Sequence, residues 1–358
     1  MQAVKKAIGM SPLPTRQLGR DGPHVTALGF GTMGLSAFYG APKPDAERLA
    51  VLDACYSMGE WHWDSADIYA DSEDLLGKWF AANPDKRKNI FLATKFGNRR
   101  NAEGKPEINS TPAYAKEACA KSLRRLGLPY IDLYYCHRLD GKTPIEQTVR
   151  AMMELKEEGK IKHLGLSECS SESLRRAHKV HPISAVQIEY SPWALDIESP
   201  QINLLNTCRE LGVAIVAYSP IGRGVLSGTI RSRKDLAEGD FRLMAPRFSE
   251  ENFPNNLKVV DTLQALAQKH GVTATQLTLA WLLAQGDDII PIPGTTRIER
   301  LEENLGALQV KLTKEEEAKI RKVIEDAEIR GGRYPEAFTS ALFADTPAEE
   351  GQVASKDA

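Results

Sequence analysis

The sequence contains no apolar run of the roughly 18 residues that a membrane-spanning helix needs. Its first residues, 1–10, carry two lysines but no apolar core behind them, which is unlike a secretion signal. The net charge is only −2, so the chain has no strong electrostatic attraction to nucleic acid or to anionic membranes. We therefore expect a cytoplasmic protein whose partners are small molecules, with neither a membrane nor a nucleic acid among them.

Cysteine is scarce, and its spacing is typical of neither a disulfide framework nor a zinc site. The five cysteines are an odd number, are scattered along the chain and form no CxxC pair. In a cytosolic protein such residues are reduced thiols. We therefore predict neither disulfides nor a metal site at Cys55, Cys119, Cys136, Cys169 and Cys208.

The 358 residues are enough for one large barrel or two ordinary domains. Eight short apolar runs alternate with helix-like segments: TALGFGTM, WHWDSAD, IFLATKFG, IDLYYCHR, KHLGLSE, SAVQIEYS, VAIVAYSP and DIIPIPG. Near-continuous apolar runs are expected of parallel strands covered by helices, so the pattern predicts an α/β fold, a (β/α)₈ TIM barrel. An open doubly wound sheet is the alternative. It usually carries GxGxxG after its first strand, and the stretch from Gly31 to Gly34 has no such motif.

Three segments fall outside this alternation. Residues 15–26 predict a β-hairpin before the barrel, and residues 222–256 predict a long loop after the seventh strand. Residues 15–345 would then form a single domain. Residues 346–358 are small and polar, which predicts a disordered tail.

Threonine residues mark the predicted starts of three helices. Thr111 precedes a proline and predicts an N-cap. The segments Thr143–Glu146 and Thr296–Glu299 each predict a capping box, in which the first and last side chains bond reciprocally to the backbone. The second of these helices would follow the eighth strand, and a helix N-terminus attracts anions.

Four side chains suited to carbonyl reduction lie at or just beyond the ends of three predicted strands. A barrel gathers the C-terminal ends of its strands at one mouth, so these side chains should converge. Tyr69 could donate a proton, and Lys95 could lower its pKa because an ammonium stabilises phenolate. Asp64 could hold the lysine, which lies in an apolar run and needs an acidic partner. His137 could orient the substrate oxygen.

The chain resembles the aldo-keto reductase family over roughly residues 15–345. The matching stretches are GFGTMGL, WDSADIYADSEDLLG, LATKFG, YIDLYYCHR, IKHLGLSE, VQIEYSPW, VAYSPIGRGVLSG and IPIPGTTRIERLEENLGAL. The resemblance implies a (β/α)₈ barrel that binds extended NADPH and reduces aldehydes and ketones by hydride transfer. It also implies a catalytic tetrad of Asp64, Tyr69, Lys95 and His137. The 222–256 loop is similar to that of the branch containing fungal and plant reductases close to pyridoxal and perakine reductases.

The same resemblance implies the cofactor contacts. Ser167 and Gln187 match positions that hydrogen-bond the nicotinamide carboxamide, and Tyr218 matches the aromatic residue that stacks on the ring. The whole implied set is Gly31, Thr32, Met33, Asp64, Ser167, Glu168, Gln187, Tyr218, Ser219, Pro220, Ile221, Gly222, Gly294, Thr295, Thr296, Arg300, Glu303 and Asn304. The last three match positions that hold the adenosine 2′-phosphate and adenine.

Three residues depart from the family pattern. Glu168 stands where many members have asparagine, so its charge near the cofactor needs an offset. Gly294 stands where many members have lysine, which leaves Arg297 and Arg300 to bind a 2′-phosphate. Ala70 replaces a glycine that is common after the catalytic tyrosine, and we interpret this change as tolerable.

Two other functions stay open. Related barrels serve as channel-associated β subunits that bind NADPH with little catalysis, although the intact tetrad argues against that function. An unrelated barrel aldolase could use Lys95 in a Schiff base.

The sequence does not identify the substrate. We expect the 222–256 loop and the segment RGGRYPEAFTSALF to close over the mouth, and an aromatic-lined pocket favours aromatic or medium-length apolar aldehydes. The predicted mouth residues are Tyr39, Trp63, Arg138 and Trp193.

Overall fold

The structure is a computed structural model that describes residues 12–349. Its strands are β1 (Thr15–Gln17), β2 (His24–Thr26), β3 (Phe30–Gly31), β4 (His62–Asp64), β5 (Phe91–Phe96), β6 (Asn98–Arg100), β7 (Pro106–Ile108), β8 (Ile131–Cys136), β9 (Ile161–Ser167), β10 (Ala185–Glu189), β11 (Ala214–Tyr218) and β12 (Ile289–Pro291). Its α-helices are α1 (Met33–Ser36), α2 (Asp45–Ser57), α3 (Ser72–Ala82), α4 (Pro112–Leu126), α5 (Ile145–Glu157), α6 (Ser171–Val180), α7 (Leu204–Leu211), α8 (Phe253–Lys269), α9 (Ala274–Ala284), α10 (Ile298–Gly306) and α11 (Lys314–Glu325).

Eight parallel strands form a closed barrel, as the eight apolar runs predict. Their order is β12-β11-β10-β9-β8-β5-β4-β3, with helices between them in the chain. The N–H of Gly29 donates to the carbonyl of Pro291 at 2.8 Å, and that of Gly31 donates to Pro293 at 3.3 Å. These bonds join the two ends of the sheet, so all C-terminal strand ends face one mouth.

Glycine is needed where the barrel closes. A Cβ on Gly31 would approach the carbonyl oxygen of Ile292 to 2.9 Å. A Cβ on Gly294 would approach the carbonyl oxygen of Gly31 to 2.5 Å, closer than real Cβ contacts come. The backbone after β12 therefore runs against β3 with no room for a side chain.

The core has two parts, separated by the sheet. The larger part lies between the strands and the surrounding helices. The smaller part fills the barrel with side chains such as Ala93, Leu133 and Val216. Leu18 and Val25 of the β1–β2 hairpin pack against it, so the predicted hairpin covers the end of the barrel opposite the mouth.

Two local predictions about helix starts have different outcomes. Thr111 caps α4 as predicted, accepting from the N–H of Tyr114 at 3.4 Å. The capping box predicted from Thr143 is wrong. The Thr143 hydroxyl donates to Asp140 at 2.8 Å, and both oxygens of Glu146 accept from Arg176 at 2.8 Å. Stronger ionic partners therefore take the side chains that the box would need.

The remaining segments agree only in part with the predictions made from the sequence. The loop predicted at 222–256 contains four 3₁₀ turns, Gly222–Ser227, Arg233–Asp235, Phe241–Met244 and Pro246–Phe248, before α8 begins. The antiparallel β6–β7 ribbon was not predicted. The disordered tail was predicted to begin at 346, but Thr346 is buried and accepts from the N–H of Ile145 at 3.2 Å. Residues 350–358 lie outside the described residues.

No helix within residues 12–349 combines the length and the apolar character needed to cross a membrane.

Candidate active site

The four predicted catalytic residues meet at the barrel mouth. Asp64 ends β4, Lys95 lies on β5, and Tyr69 and His137 follow β4 and β8. Lys95 is fully buried, and its ammonium donates to Asp64 and to the carbonyl of Ser65, the latter at 2.6 Å. The second carboxylate oxygen of Asp64 accepts from Gln187 at 2.7 Å. Asp64 therefore holds the lysine as predicted.

Tyr69 lies between the lysine and the histidine. The Lys95 ammonium is 5.1 Å from the centroid of the Tyr69 ring. The rings of Tyr69 and His137 meet edge to face, with centroids 5.8 Å apart. Phe38, which sequence reasoning missed, packs against the other side of Tyr69 at 6.2 Å. These rings leave Tyr69 only partly exposed.

The expected electrostatic effect of Lys95 on Tyr69 needs a correction. Burial raises the pKa of the Tyr69 phenol well above its ordinary value, and the Asp64 carboxylate raises it further. The largest opposing contribution comes from the Arg138 guanidinium. The charge of Lys95 is balanced by Asp64 at contact distance, so it is not the main cation acting on the phenol. Tyr69 consequently keeps its proton at neutral pH.

His137 is neutral at the same pH. Burial lowers its pKa well below the ordinary value, and the charges of Arg138 and Lys95 lower it further. Its Nδ1 is buried and has no hydrogen-bond partner in the part of the chain that the structure describes. A neutral imidazole carries one N–H donor, so His137 is able to donate to an oxygen in the mouth.

Glu168 departs from the family pattern and brings a negative charge near the cofactor site. In the structure, a neighbouring cation balances that charge. Arg333 donates to both Glu168 oxygens, at 3.0 and 3.2 Å, and both residues are buried. The Tyr218 hydroxyl also donates to Glu168, at 2.6 Å. Burial alone would raise the pKa of Glu168, but Arg333 and Arg138 outweigh it and hold the pKa below its ordinary value.

Arg333 belongs to the segment that was expected to close over the mouth. The hydroxyl of Tyr334, next in the chain, lies 3.2 Å from that of Tyr218. Ala344 donates its N–H to the carbonyl of Glu168 at 2.8 Å. The segment around 330–344 therefore reaches the end of β9 twice. Sequence reasoning missed Arg333, because nothing local in the sequence pairs it with a residue 165 positions away.

The four predicted substrate residues are not all at the mouth. Trp63 is a wrong prediction: it is fully buried among the helices, with Trp79 at 4.7 Å between ring centroids. Side chains alternate along a strand, so Trp63 points outward because Asp64 points inward. Trp193 is buried against Phe248 of the long loop, at 5.9 Å, and is not open to the mouth.

For Tyr39 and Arg138, contact with the substrate stays a prediction. Tyr39 is partly buried, with the Arg242 guanidinium 4.6 Å from its ring centroid. Arg138 is buried at the ends of β8 and β9, where it donates to the Ser167 hydroxyl at 3.3 Å. Ala70 adopts a left-handed φ of 44°, which explains why glycine suits that position.

The residues matched to the adenosine end of the cofactor also lie together. A pocket of about 140 Å³ is lined by residues following β11 and β12 and by α10, among them Ile221, Gly294, Thr295, Arg297, Arg300, Glu303 and Asn304. The capping box predicted at Thr296 is wrong, because Arg297 is the N-cap residue and its side chain makes no capping hydrogen bond. Thr295 instead accepts from the N–H of Arg297 at 3.1 Å. Arg300 contacts Glu303 one turn along.

The remaining cofactor predictions occupy strand ends around the same mouth. Gly31 ends β3, Thr32 and Met33 follow it, and the Thr32 hydroxyl donates to the carbonyl of Asp64 at 2.9 Å. Residues Ser219, Pro220, Ile221 and Gly222 follow β11, where Ser219 has a φ of 49°. Gln187 lies on β10.

The chain is similar in sequence to known proteins of one family. The model of the family described as "Aldo/keto reductase family" matches residues 27–325 of this chain. The aldo-keto reductase str7 of Strobilurus tenacellus is 53% identical over 341 residues, covering 94% of this chain and 98% of that protein. The aldo-keto reductase yakc [NADP(+)] of Schizosaccharomyces pombe is 49% identical over 338 residues, with the same two coverages.

Two solved structures have folds similar to that of this chain. The thermostable aldo-keto reductase Tm1743, crystallised with the inhibitor epalrestat, has a TM-score of 0.70 and 29% identity, covering 87% of this chain and 100% of its own. The glycerol dehydrogenase AKR11B4 of Gluconobacter oxydans has a TM-score of 0.78 and 26% identity, covering 89% and 97%. The chain belongs to the aldo-keto reductase family and is an oxidoreductase.

Proposed function

We propose that the protein reduces aldehydes and ketones to alcohols with NADPH, using Tyr69 as the general acid. The observation that carries this proposal is the convergence of Tyr69, Lys95, Asp64 and His137 at one mouth of the barrel. The name of the S. pombe relative, which includes NADP(+), supports the same cofactor. The competing function, a cofactor-binding subunit with little catalysis, gives no reason for such a cluster to converge.

The protein's own part in the reaction is to place a proton beside the substrate oxygen. When bound, the nicotinamide supplies a hydride to the carbonyl carbon. Negative charge then develops on the carbonyl oxygen, and a donor already in place lowers the barrier. Tyr69 is protonated at neutral pH because burial raises its pKa. His137 is neutral and offers a second hydrogen bond to the same oxygen.

Lys95 and Asp64 act on Tyr69 through position. The lysine is fixed by Asp64 and by the carbonyl of Ser65, so its ammonium stays against the tyrosine ring. Gln187 in turn holds Asp64. These bonds restrict the movement of the groups under Tyr69, and such preorganisation is a general source of catalytic rate.

The site fits a nicotinamide cofactor with a 2′-phosphate. At the nicotinamide end, Tyr218 offers an aromatic ring, and Ser167 and Gln187 offer polar atoms beside it. At the other end, α10 begins without a side-chain cap, and Arg297 and Arg300 line the same pocket. Free backbone N–H groups at a helix start and two guanidinium groups suit a phosphate dianion.

The test is Tyr69→Phe. The phenol donates a proton only during the chemical step, so kcat should fall on the order of 10²-fold or more. NADPH affinity, measured by quenching of protein fluorescence, should stay close to that of the wild type. Tyr56→Phe is a matched control, because the Tyr56 ring packs against Trp61 and Trp79 outside the mouth. Near-normal turnover of Tyr69→Phe would show that another group donates the proton. A wild type that binds NADPH but reduces no carbonyl would favour the regulatory function.

A further inference from the structure

Arg138 lies deep in the mouth, directly after His137 in the chain. Only 8% of the residue is exposed. Its Nη1 donates to the carbonyl of His137 at 2.7 Å and to the hydroxyl of Ser167 at 3.3 Å. These two bonds hold the guanidinium across the C-terminal ends of β8 and β9, beside the proposed proton donor. Its positive charge acts on the Tyr69 phenol, because it opposes the rise in the pKa of Tyr69.

The guanidinium has no carboxylate partner. Within residues 12–349, no ion pair joins Arg138 to an acidic side chain, and its Nε and Nη2 donate no hydrogen bond. Glu168 is the nearest candidate by charge, but its oxygens already accept from Arg333 and Tyr218. Burial would lower the pKa of Arg138, but Tyr218, Tyr334 and Glu168 together outweigh it and hold the pKa above its ordinary value, so Arg138 stays charged. Its Nε and Nη2 are the donors left for an anion that enters the mouth.

Four other cations around the mouth are paired. Lys95 contacts Asp64, and Arg242 contacts Asp240 at 2.5 Å. Arg333 is shared between Glu168 at 3.0 Å and Glu189 at 3.6 Å, and Arg223 also lies 3.5 Å from Glu189. Arg138 differs from all of them in lacking such a neighbour, and it lies next to the histidine proposed to orient the carbonyl.

We propose that Arg138 binds a carboxylate carried by the substrate, so that the preferred substrates are aldehydes or ketones with a negative charge near the carbonyl. This inference rests on the proposed function. The planar fork of a guanidinium matches a carboxylate, and Nε and Nη2 are the two donors left for it. The proposed function places the 2′-phosphate of the cofactor in the pocket beside α10, and the reduced nicotinamide ring is uncharged, so we do not assign this anion to either of them. The apolar aldehydes favoured by the aromatic mouth are then the poorer substrates.

The experiment compares two aldehydes of similar size that differ in charge, 4-carboxybenzaldehyde and methyl 4-formylbenzoate, with 3-carboxybenzaldehyde and glyoxylate testing other positions of the charge. The wild type should show kcat/KM at least about 10-fold higher for the best carboxylate than for the ester, mainly through KM. Arg138→Met should abolish this preference, and Arg138→Lys should keep part of it, because lysine retains the charge but loses the fork. Arg242→Met removes a paired cation from the same mouth and should keep the preference.

Three results would overturn the inference. The first is a wild type that reduces the ester as efficiently as every carboxylate. The second is an Arg138→Met or Arg138→Gln variant that keeps the wild-type ratio. The third is an Arg138→Met variant that loses NADPH affinity in proportion to its loss of kcat/KM for both aldehydes, which would assign Arg138 to the cofactor. Reduction of the neutral ester by the wild type with NADPH supports the proposed function whether or not a carboxylate is preferred, so the two failures are distinguishable.

Discussion

Two buried ion pairs lie at the barrel mouth, Lys95–Asp64 and Arg333–Glu168, and the balance between burial and charge attraction differs between them. In the first pair, burial dominates, raising the pKa of Asp64 and lowering that of Lys95. In the second, burial opposes the charges but is outweighed, so the pKa of Glu168 is lowered and that of Arg333 is raised. The folded protein therefore disfavours the charged forms of the first pair and favours those of the second.

We interpret the difference as separating a pair retained for the proposed chemistry from a pair that stabilises the fold. A buried ion pair whose attraction does not repay desolvation reduces stability, and it persists only where another role retains it. Lys95–Asp64 lies under the proposed proton donor. Arg333–Glu168 fixes the C-terminal segment to β9, with two hydrogen bonds between the side chains. The contrast predicts that disrupting the first pair costs mainly activity and disrupting the second costs mainly stability.

The largest expected effect is that of Lys95→Met on turnover. Without the ammonium, Tyr69 loses the charged group held against its ring, and kcat should fall between about 10²- and 10⁴-fold. Steady-state kinetics with saturating NADPH measure it. Lys78→Met, which removes an exposed lysine paired with Asp45, should have near-normal kcat. Good activity of Lys95→Met would mean that the lysine is only structural.

The double variant Asp64→Asn/Lys95→Met tests the stability side of the same pair. It removes both charges together, so the midpoint of thermal unfolding should stay the same or rise even though turnover is lost. A midpoint that falls by many degrees would contradict the contrast, because it would mean that this pair also stabilises the fold.

Arg333→Met should lower the free energy of unfolding by about 3 kcal/mol, because it leaves the Glu168 carboxylate buried without its main partner. Urea unfolding measures the loss. Arg330→Met is the matched control, since Arg330 is largely exposed and its pair with Glu328 lies at the surface. Adding Glu168→Gln to Arg333→Met should recover part of the lost stability. An effect no larger than that of Arg330→Met would remove the distinction between the two buried pairs.

Arg300–Glu303 extends the comparison to a partly exposed pair. Arg300→Ala should hardly change stability, since such helix pairs contribute little. It should weaken NADPH binding about 10- to 100-fold, because a charge-assisted contact to phosphate contributes roughly 1.5–3 kcal/mol. NADH binding should be nearly unchanged. Lys319→Ala, from an exposed intrahelical pair on α11, is the control for both measurements. Equal weakening of both cofactors would mean that the 2′-phosphate binds elsewhere.

The smallest expected effect concerns pH. The pKa of Glu168 in the folded protein lies below its ordinary value of 4.5, so its stabilisation is fully present above pH 4.5. It is lost as pH falls through the folded pKa, by at most about 1.4 kcal/mol per pH unit. The unfolding temperatures of the wild type and Glu168→Gln should therefore differ at pH 6 and converge as the pH falls below 4.5. A wild type that instead loses stability relative to Glu168→Gln as the pH rises above 4.5 would show that Glu168 is protonated in the folded protein.

The sequence predicts well which side chains meet at the ends of neighbouring strands. Each tetrad residue ends or follows an apolar run, and the geometry of a parallel barrel brings such ends together. Lys95–Asp64 was predictable for this reason, because the cost of a lysine in an apolar strand demands an acid on the adjacent one. The wrong placement of Trp63 was avoidable, since alternation along β4 puts it on the face opposite Asp64.

Other features were not predictable from local patterns. The capping box at Thr143 fails because Arg176, 30 residues from Glu146, competes for the glutamate. Arg333 meets Glu168 only because the chain returns to the mouth after the last strand, and no periodicity marks the return. Contacts made by loops depend on the path of the whole chain, which the residues beside them do not specify.

The close approach of Gly31 and Gly294 limits how this lineage can change its cofactor preference. A lysine at 294 cannot arise here by one substitution without moving the backbone, since even its Cβ would approach the Gly31 carbonyl to 2.5 Å. Substitution of Arg300 meets no such steric barrier, because its side chain extends from the surface of α10. Selection for a different cofactor is therefore expected to act first on α10, and the glycine pair should change only after neighbouring backbone has shifted.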